Sequence, residues 1–392
     1  KKCCIGLVNA TSLYICPEEI QGIFIMVTEQ DIHFMRYAMK LAARGTGWVN
    51  PNPLVGAVIV RDGRIIAEGW HERYGGLHAE RNAFKNCQED TVGATMYVTL
   101  EPCCHYGKTP PCTEAVVEHG IARVVVGLTD PNPLVAGKGI GILREAGIDV
   151  EVGVCSEELK AQNRVFLKYI QNRMPWVVMK SAMTLDGKIA AYSGDSKWVT
   201  GGPARMRVQE MRRTYMGIMV GSGTVVADNP MLNCRLEGEV RQPVRIVVDS
   251  GARVGMDSKL VTTAVTYRTI VAHIATADPD KLRMLSACGV ETLLCREQNG
   301  HVDCVDMLSK LGGMGIDSIF LEGGGQLNET FLRNGLIDEV YAFVAPKLVG
   351  GKEAKTPVEG QGFARMSEAV ELKNVEVEMV GKDVLIHGLI ER

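Results

Sequence analysis

The segment Thr95-Met96-Tyr97-Val98-Thr99-Leu100-Glu101-Pro102-Cys103-Cys104-His105 decides how the chain is read, together with His78-Ala79-Glu80 before it and Thr109-Pro110-Pro111-Cys112 after it. Thr95 to Leu100 is an apolar, β-branched run and reads as a strand. His78 to Cys87 can form a helix. Pro111 to His119 reads as another, with proline in its first turn and Gly120 as its stop. A helix, a strand and a helix therefore deliver a histidine, a glutamate and several cysteines to their ends. One imidazole and two thiolates gathered there would make a three-ligand zinc site with the fourth position open, and a carboxylate two residues from the imidazole could act on whatever fills it.

Working outward, Thr28-Glu29-Gln30-Asp31 has the spacing of a capping box. Ile32, Met35, Met39 and Ala42 then recur at helical intervals, and the helix should stop near Gly45. Leu54 to Val60, Asp62-Gly63 and Arg64 to Gly69 read as a hairpin. Ala122 to Leu128 is a buried strand, and Lys138 to Gly147 with Ile148 to Val154 adds a helix and a strand. This is an α/β layered domain ending near residue 165. After a turn-rich passage at Asn172 to Pro175 the pattern begins again. Trp176 to Met183, Ile218 to Gly221, Val244 to Asp249, Thr269 to Ala272 and Ser318 to Leu321 are short apolar strands separated by helix-length segments, as in a largely parallel sheet. Asp338 to Leu348, Val375 to Val380 and Val384 to Ile390 close it. The expected division is an extension at 1–25, a first domain at 26–170 and a second at 175–392.

A chain of 392 residues suits two cores better than one. The apolar fraction of 46% and charged fraction of 23% are those of a soluble globular protein. A net charge of −3 without a block of Lys and Arg argues against nucleic acid as a partner, and no segment has the length and apolarity of a membrane span. The 12 cysteines are spread over a large chain, which points to a reducing, cytoplasmic compartment rather than a disulfide scaffold. A small phosphorylated substrate and a homo-oligomer, dimer or tetramer, are expected.

Taken alone, His-x-Glu is common at solvated helix starts, and paired cysteines are commonly small buried hydrophobes. Zinc deaminases combine H-x-E with P-C-x-x-C, where glutamate moves protons and zinc lowers the pKa of bound water from about 15.7 toward 7. Here Cys103 and Cys112 enclose eight residues instead of two. The segment from Pro102 to Cys112, with His105, Gly107 and Thr109-Pro110-Pro111, resembles the longer form found in the bifunctional deaminase/reductases of riboflavin biosynthesis. The resemblance implies zinc on His78, Cys103 and Cys112, with Glu80 as the proton shuttle; Cys104 stands where such proteins often have a non-thiol residue and is therefore a candidate competing ligand. It favours Asn52 and His71 as substrate contacts, and Lys108 on the metal loop could meet a substrate phosphate.

The second half carries the same resemblance, on Lys180 to Ala190, Ser196 to Thr200, Gly221 to Thr224, Ala227 to Pro230, Glu322 to Gly325 and Ala345 to Lys347. It implies a cytidine-deaminase-like three-layer α/β/α domain followed by a dihydrofolate-reductase-like α/β domain. NADPH would lie near Ala182, Trp198, Thr224, Asp228, Ser250, Gly324, Gly325, Gln326, Leu327, Asn328, Glu329 and Thr330. The substrate would meet Ser196, Arg212, Leu232, Arg235 and Glu322. The implied chemistry is hydrolysis of the 2-amino group of 2,5-diamino-6-ribosylamino-4(3H)-pyrimidinone 5′-phosphate, then reduction of its ribosyl chain to ribityl.

Overall fold

The structure is a computed structural model that describes residues 27–107, 110–132 and 136–391. The expected extension at 1–25 and Lys108 lie outside them. Thr28 caps α1 (Glu29–Ala42): its hydroxyl accepts the Asp31 amide at 3.0 Å, and the Asp31 carboxylate accepts the Thr28 amide at 3.1 Å. The capping box is thus present as spaced. The buried face of α1 is Phe34, Met35, Ala38, Leu41 and Ala42, while Ile32 and Met39 stay at its margin.

The first sheet has the order β2-β1-β3-β4-β5. Strands β1 (Gly56–Arg61) and β2 (Arg64–Trp70) pair antiparallel through Asp62 and Gly63, both at positive φ (52° and 72°), as a two-residue hairpin requires. Strand β3 (Thr95–Leu100) is antiparallel to β1 and parallel to β4 (Arg123–Leu128), and β5 (Asp149–Val152) follows in parallel. The helices α2 (Ala79–Asn86), α3 (Cys112–Glu118), α4 (Lys138–Glu145) and α5 (Ser156–Gln162) pack around it. Gly69 has a particular task. A Cβ there would run into the backbone at Ala79 and Ala83, so its absence lets α2 lie flush on β2 and brings His78 to the sheet's edge.

The chain continues past residue 165 as α6 (Arg164–Asn172), which the sequence reading left unassigned. Its apolar residues Phe166, Leu167 and Ile170 join the first core. Its polar side reaches the second half: Arg164 pairs with Glu339, and Lys168 with Asp338 at 2.6 Å.

The second sheet has nine strands in the order β10-β9-β8-β7-β13-β6-β14-β16-β15. They are β6 (Trp176–Thr184), β7 (Gly217–Gly221), β8 (Val244–Val248), β9 (Thr269–His273), β10 (Glu291–Leu294), β13 (Ser318–Leu321), β14 (Glu339–Ala345), β15 (Lys373–Val380) and β16 (Asp383–Leu389). A small separate hairpin is formed by β11 (Glu297–Gln298) and β12 (His301–Val302). From β10 to β14 every pairing is parallel; β16 and β15 close the sheet antiparallel. Successive residues of one strand enter opposite cores: Val178, Ile218, Val247 and Phe320 on one face, Val177, Met219, Ile246 and Ile319 on the other. Burial on both faces explains why these strands read as unbroken apolar runs. Helices α7 (Gly202–Thr214), α8 (Ser222–Asp228), α9 (Lys259–Thr262), α10 (Pro279–Ala287), α11 (Cys304–Gly313) and α12 (Gly325–Arg333) connect the strands. Among the described residues no helix is long and apolar enough to cross a membrane.

Asp31 does more than cap. Besides the Thr28 amide it accepts the Tyr97 hydroxyl at 2.9 Å and the Arg123 guanidinium at 2.7 Å, tying α1 to β3 and β4. Burial pushes its carboxyl up, but Arg123, Thr28 and Tyr97 outweigh this and hold it at about 2. The stability it contributes is therefore present above its unfolded value near 4 and lost as pH falls toward 2. Asp31→Ala should cost the first half roughly 3 kcal/mol at neutral pH in urea denaturation, with the difference from wild type shrinking between about pH 4 and pH 2.

Candidate active sites

Three chain segments deliver the first site. His78 is the residue before α2, Cys103 follows β3 after Glu101-Pro102, and Cys112 opens α3. Both sulfurs lie 3.4 Å from His78 Nδ1, and the three donor atoms all fall within 4.8 Å of one another. Ligands held 2.0–2.3 Å from a tetrahedral zinc stand roughly 3.5–3.8 Å apart, so one nitrogen and two sulfurs at these separations suit that ion. The Cys112 amide donates to Cys103 Sγ at 3.3 Å, and the Thr113 amide to the Cys103 carbonyl at 3.2 Å, locking the loop to the helix start. The Cys112 thiol's hydrogen bond, with help from His78, holds the Cys103 thiol well below the usual range against the effect of burial. The same bond, with burial, pushes Cys112 up. Cys104 is half-buried and outside this grouping, as is the exposed His105.

Glu80 is buried in the first turn of α2. Burial raises its carboxyl to about 7, with the neighbouring His78 pulling the other way. A carboxyl that titrates there can both accept and return a proton near neutrality.

A cavity of about 200 Å³ opens in front of the trio, lined by Asn52, Tyr74, Gly76, His78, Cys103 and His105. Asn52 reaches it directly. His71 stands behind: its Nε2 faces the Asn52 amide at 3.1 Å and its Nδ1 the Leu77 carbonyl at 3.0 Å, so both ring nitrogens are occupied. Burial lowers its pKa, which suits a neutral ring that accepts from Asn52. Sequence reasoning missed Glu101. Its buried carboxylate accepts the amides of Asp130 (3.1 Å), Gly137 (2.9 Å) and Ile140 (3.2 Å), fixing the start of α4 beside the metal loop. A glutamate closing an apolar strand before Pro102-Cys103 was the available signal.

The second group of residues gathers where the parallel strands end. Ala182 lies in β6, Thr224 follows β7, Ser250 follows β8, and Glu322-Gly323-Gly324-Gly325 joins β13 to α12. A Cβ on Gly324 would come 3.6 Å from Thr224 Oγ1, so the glycine turn lies close beside the first turn of α8. Asn328 is turned inward, donating to the carbonyls of Gly323 (3.2 Å) and Pro357 (2.8 Å), while Leu327 packs under the glycine turn. Glu329 pairs with Arg333, Thr330 bonds the Gln326 carbonyl, and Ser250 accepts the Val302 amide at 3.1 Å. Asp228 is exposed at the end of α8. Trp198 is 61% exposed beneath Arg205, and its carbonyl receives Lys347 Nζ at 2.6 Å. Ser196 is half-buried two residues before it.

Arg212 and Glu322 form a two-pronged pair (2.7 and 3.1 Å), with Arg212 also donating to the Asn233 carbonyl. Lys180 adds a charge 3.6 Å from Glu322. Burial opposes ionisation of Glu322, but the two cations hold it at about 2. The Arg212 fork is thus already engaged, whereas Arg235 keeps an exposed side chain anchored through its backbone amide to Gln209. Leu232 is buried between them at φ 50°.

The first half has the architecture of a cytidine-deaminase-type zinc domain and the second that of a dihydrofolate-reductase-like reductase. Residues 28–128 match the cytidine and deoxycytidylate deaminase zinc-binding region, and residues 175–386 match the RibD C-terminal domain. The chain is 53% identical over 363 residues to the riboflavin biosynthesis protein RibD of Actinobacillus pleuropneumoniae, covering 93% of this chain and 96% of that one. It superposes on RibD of Acinetobacter baumannii with a TM-score of 0.83 at 37% identity, covering 93% and 99% of the two chains. A Thermotoga maritima structure, described as a diaminohydroxyphosphoribosylaminopyrimidine deaminase/5-amino-6-(5-phosphoribosylamino)uracil reductase, gives 0.81 at 40% identity, covering 92% and 99%. The chain belongs to the RibD family: it is a bifunctional enzyme of riboflavin biosynthesis with a zinc-binding deaminase domain and a reductase domain.

The ligand geometry gives a direct test. Cys112→Ala should lose stoichiometric zinc after dialysis, measured by elemental analysis, whereas Cys104→Ser should retain one ion per chain; zinc retained by Cys112→Ala would refute the ligand set.

Proposed function

We propose that the chain carries out two consecutive reactions on one substrate series, divided between residues 26–170 and 175–392. The first is hydrolytic removal of the 2-amino group from 2,5-diamino-6-ribosylamino-4(3H)-pyrimidinone 5′-phosphate. The second is NADPH-dependent reduction of the ribosyl chain of that product to ribityl. The observation that carries the reading is the His78, Cys103 and Cys112 trio with buried Glu80 beside it.

His78, Cys103 and Cys112 would hold zinc, which when bound supplies the Lewis acidity that makes water nucleophilic near neutral pH. Glu80 takes a proton from the attacking water and returns it to the nitrogen that leaves as ammonia. Asn52, oriented by His71, contacts the pyrimidine, and Lys108 its phosphate.

In the reductase half, the glycine turn beside Thr224, leading into the α12 N-terminus, suits the phosphates of a dinucleotide. NADPH, when bound, supplies the hydride. Ala182, Trp198, Asp228 and Ser250 extend that cofactor edge, with residues 324–330 forming its glycine turn and helix start. Arg235 offers its fork to the substrate phosphate. Arg212 instead positions Glu322, which faces the substrate with Ser196 and Leu232.

A reducing, cytoplasmic location is supported by the nine described cysteines, all of them free. A homo-oligomer, dimer or tetramer, is supported by edge strand β15, where Val375, Val377 and Met379 are 53%, 66% and 64% exposed along one side. Such an edge pairs readily with a second copy of itself. Val377→Glu should shift the chain toward monomer in sedimentation velocity, and an unchanged sedimentation coefficient would discard this edge.

Incubation of the purified chain with the diaminopyrimidine phosphate should release ammonia without NADPH, and NADPH should be consumed only after deamination. Glu80→Gln should lower ammonia release by roughly 10²–10⁴-fold while zinc content and reduction of the pre-deaminated substrate persist. Wild-type ammonia release by this variant would remove Glu80 from its role.

A further inference from the structure

The loop that brings Asn52 to the deaminase cavity is held from behind by the other half of the molecule. Asn50, two residues earlier, donates from Nδ2 to Asp317 Oδ2 at 2.7 Å. Asp317 is 1% exposed at the entry to β13 in the reductase sheet, and its second oxygen accepts the Ser318 hydroxyl at 2.6 Å. The Asn52 amide closes a turn on the Val49 carbonyl at 2.9 Å, so Asn50 and Pro51 are the two residues inside that turn. A restraint on Asn50 is therefore a restraint on the direction of Asn52.

The neighbouring contacts repeat the pattern. Gly47 packs against the Arg213 carbonyl, and its own oxygen faces Arg241 Nη1 at 3.5 Å. Arg73, stacked over Trp48, pairs with Glu239 of the reductase half at 2.8 Å. Trp48 in turn accepts the amide of Tyr74, which lines the cavity. The surface pair at Arg73 contributes little. The Asn50 bond is different, because its acceptor is a buried carboxyl whose charged form is opposed by burial and favoured by the Ser318 hydroxyl, the Asn50 amide and nearby Arg241.

We propose that Asp317, a residue of the reductase half, is a positioning residue of the deaminase site, holding Asn50 and through its turn the substrate contact Asn52. The proposal rests on the deaminase reading above. It assigns the second half a part in the first reaction, separate from its own chemistry.

The test uses the full-length zinc-loaded chain with Asn50→Ala, Asp317→Ala, Asp317→Asn and the double alanine variant. Each single alanine should raise the KM for ammonia release about tenfold, as expected for one lost bond to a buried carboxyl, and the double variant no further. Deaminase kcat, zinc content and NADPH oxidation with pre-deaminated substrate should stay within about threefold of wild type. Asp317→Asn keeps an oxygen for Asn50 and should restore most of the KM. Hydrogen exchange of the 46–54 peptide, read without substrate, should quicken in the alanine variants and recover in Asp317→Asn. Should Asp317→Ala fail to fold, Asn50→Ala carries the same readouts. Unchanged KM and unchanged exchange in Asn50→Ala would overturn the proposal, as would deaminase and reductase rates falling together. Failure of the wild-type chain to release ammonia would overturn the deaminase reading instead, leaving the exchange measurement to decide whether Asp317 holds the loop.

Discussion

Parallel strands all end at the same edge of a sheet, and the backbone leaving that edge is free to carry chemistry; both halves of this molecule are built on that constraint. In the first half, β3 runs parallel to β4 and β5 and ends at Leu100, so Glu101 and Cys103 emerge beside the start of α4. In the second, β7, β8 and β13 end beside the middle of β6, collecting Lys180, Ser222, Ser250 and Glu322 on one side. The helices that follow begin at that same edge, where unpaired amides favour anions and thiolates.

Several of the buried charges are answered by partners from neighbouring elements. Glu322 is met by Arg212 and Lys180, and Asp31 by Arg123 and Tyr97. Glu339 does the same between the halves. It is fully buried and receives Trp176 Nε1 at 2.8 Å, His387 Nε2 at 2.6 Å and Arg164 from α6. Removing one member of such a cluster leaves the others uncompensated, so each residue of the joint depends on the rest being in place. The same joint presents Asp317 to Asn50, so domain docking and site geometry are one arrangement rather than two.

Much of the fold was legible because local chemistry and global structure agree. Thr28 and Asp31 read as a cap, Asp62-Gly63 as a hairpin turn, and the strands from Trp176 to Leu321 as parallel because both their faces are apolar. Helix α6 went unassigned although Phe166, Tyr169 and Ile170 recur at helical spacing; the signal was in the chain, and only its polar partners Glu339 and Asp338 on the other domain were not. Short β10 to β12 escaped for a different reason: Glu291 to Leu294 and the hairpin after it are largely exposed and carry little apolar pattern.

The chemistry available at His78, Glu80, Cys103 and Cys112 is written in the chain, because ligand type, spacing and helix starts are local properties. So are two layered domains, because strand burial leaves a pattern in every residue. Which groups are free to act depends on how the folded segments meet. His71 and Asn52 looked equivalent in the chain, yet packing sets one behind the other with both ring nitrogens taken. Arg212 and Arg235 were equally good forks for a phosphate until Glu322 engaged the first and left the second exposed. Asp317 carried no signal at all, since its partner Asn50 lies 267 residues away. Which partner a polar group finds depends on distant segments meeting, and no local pattern records that meeting.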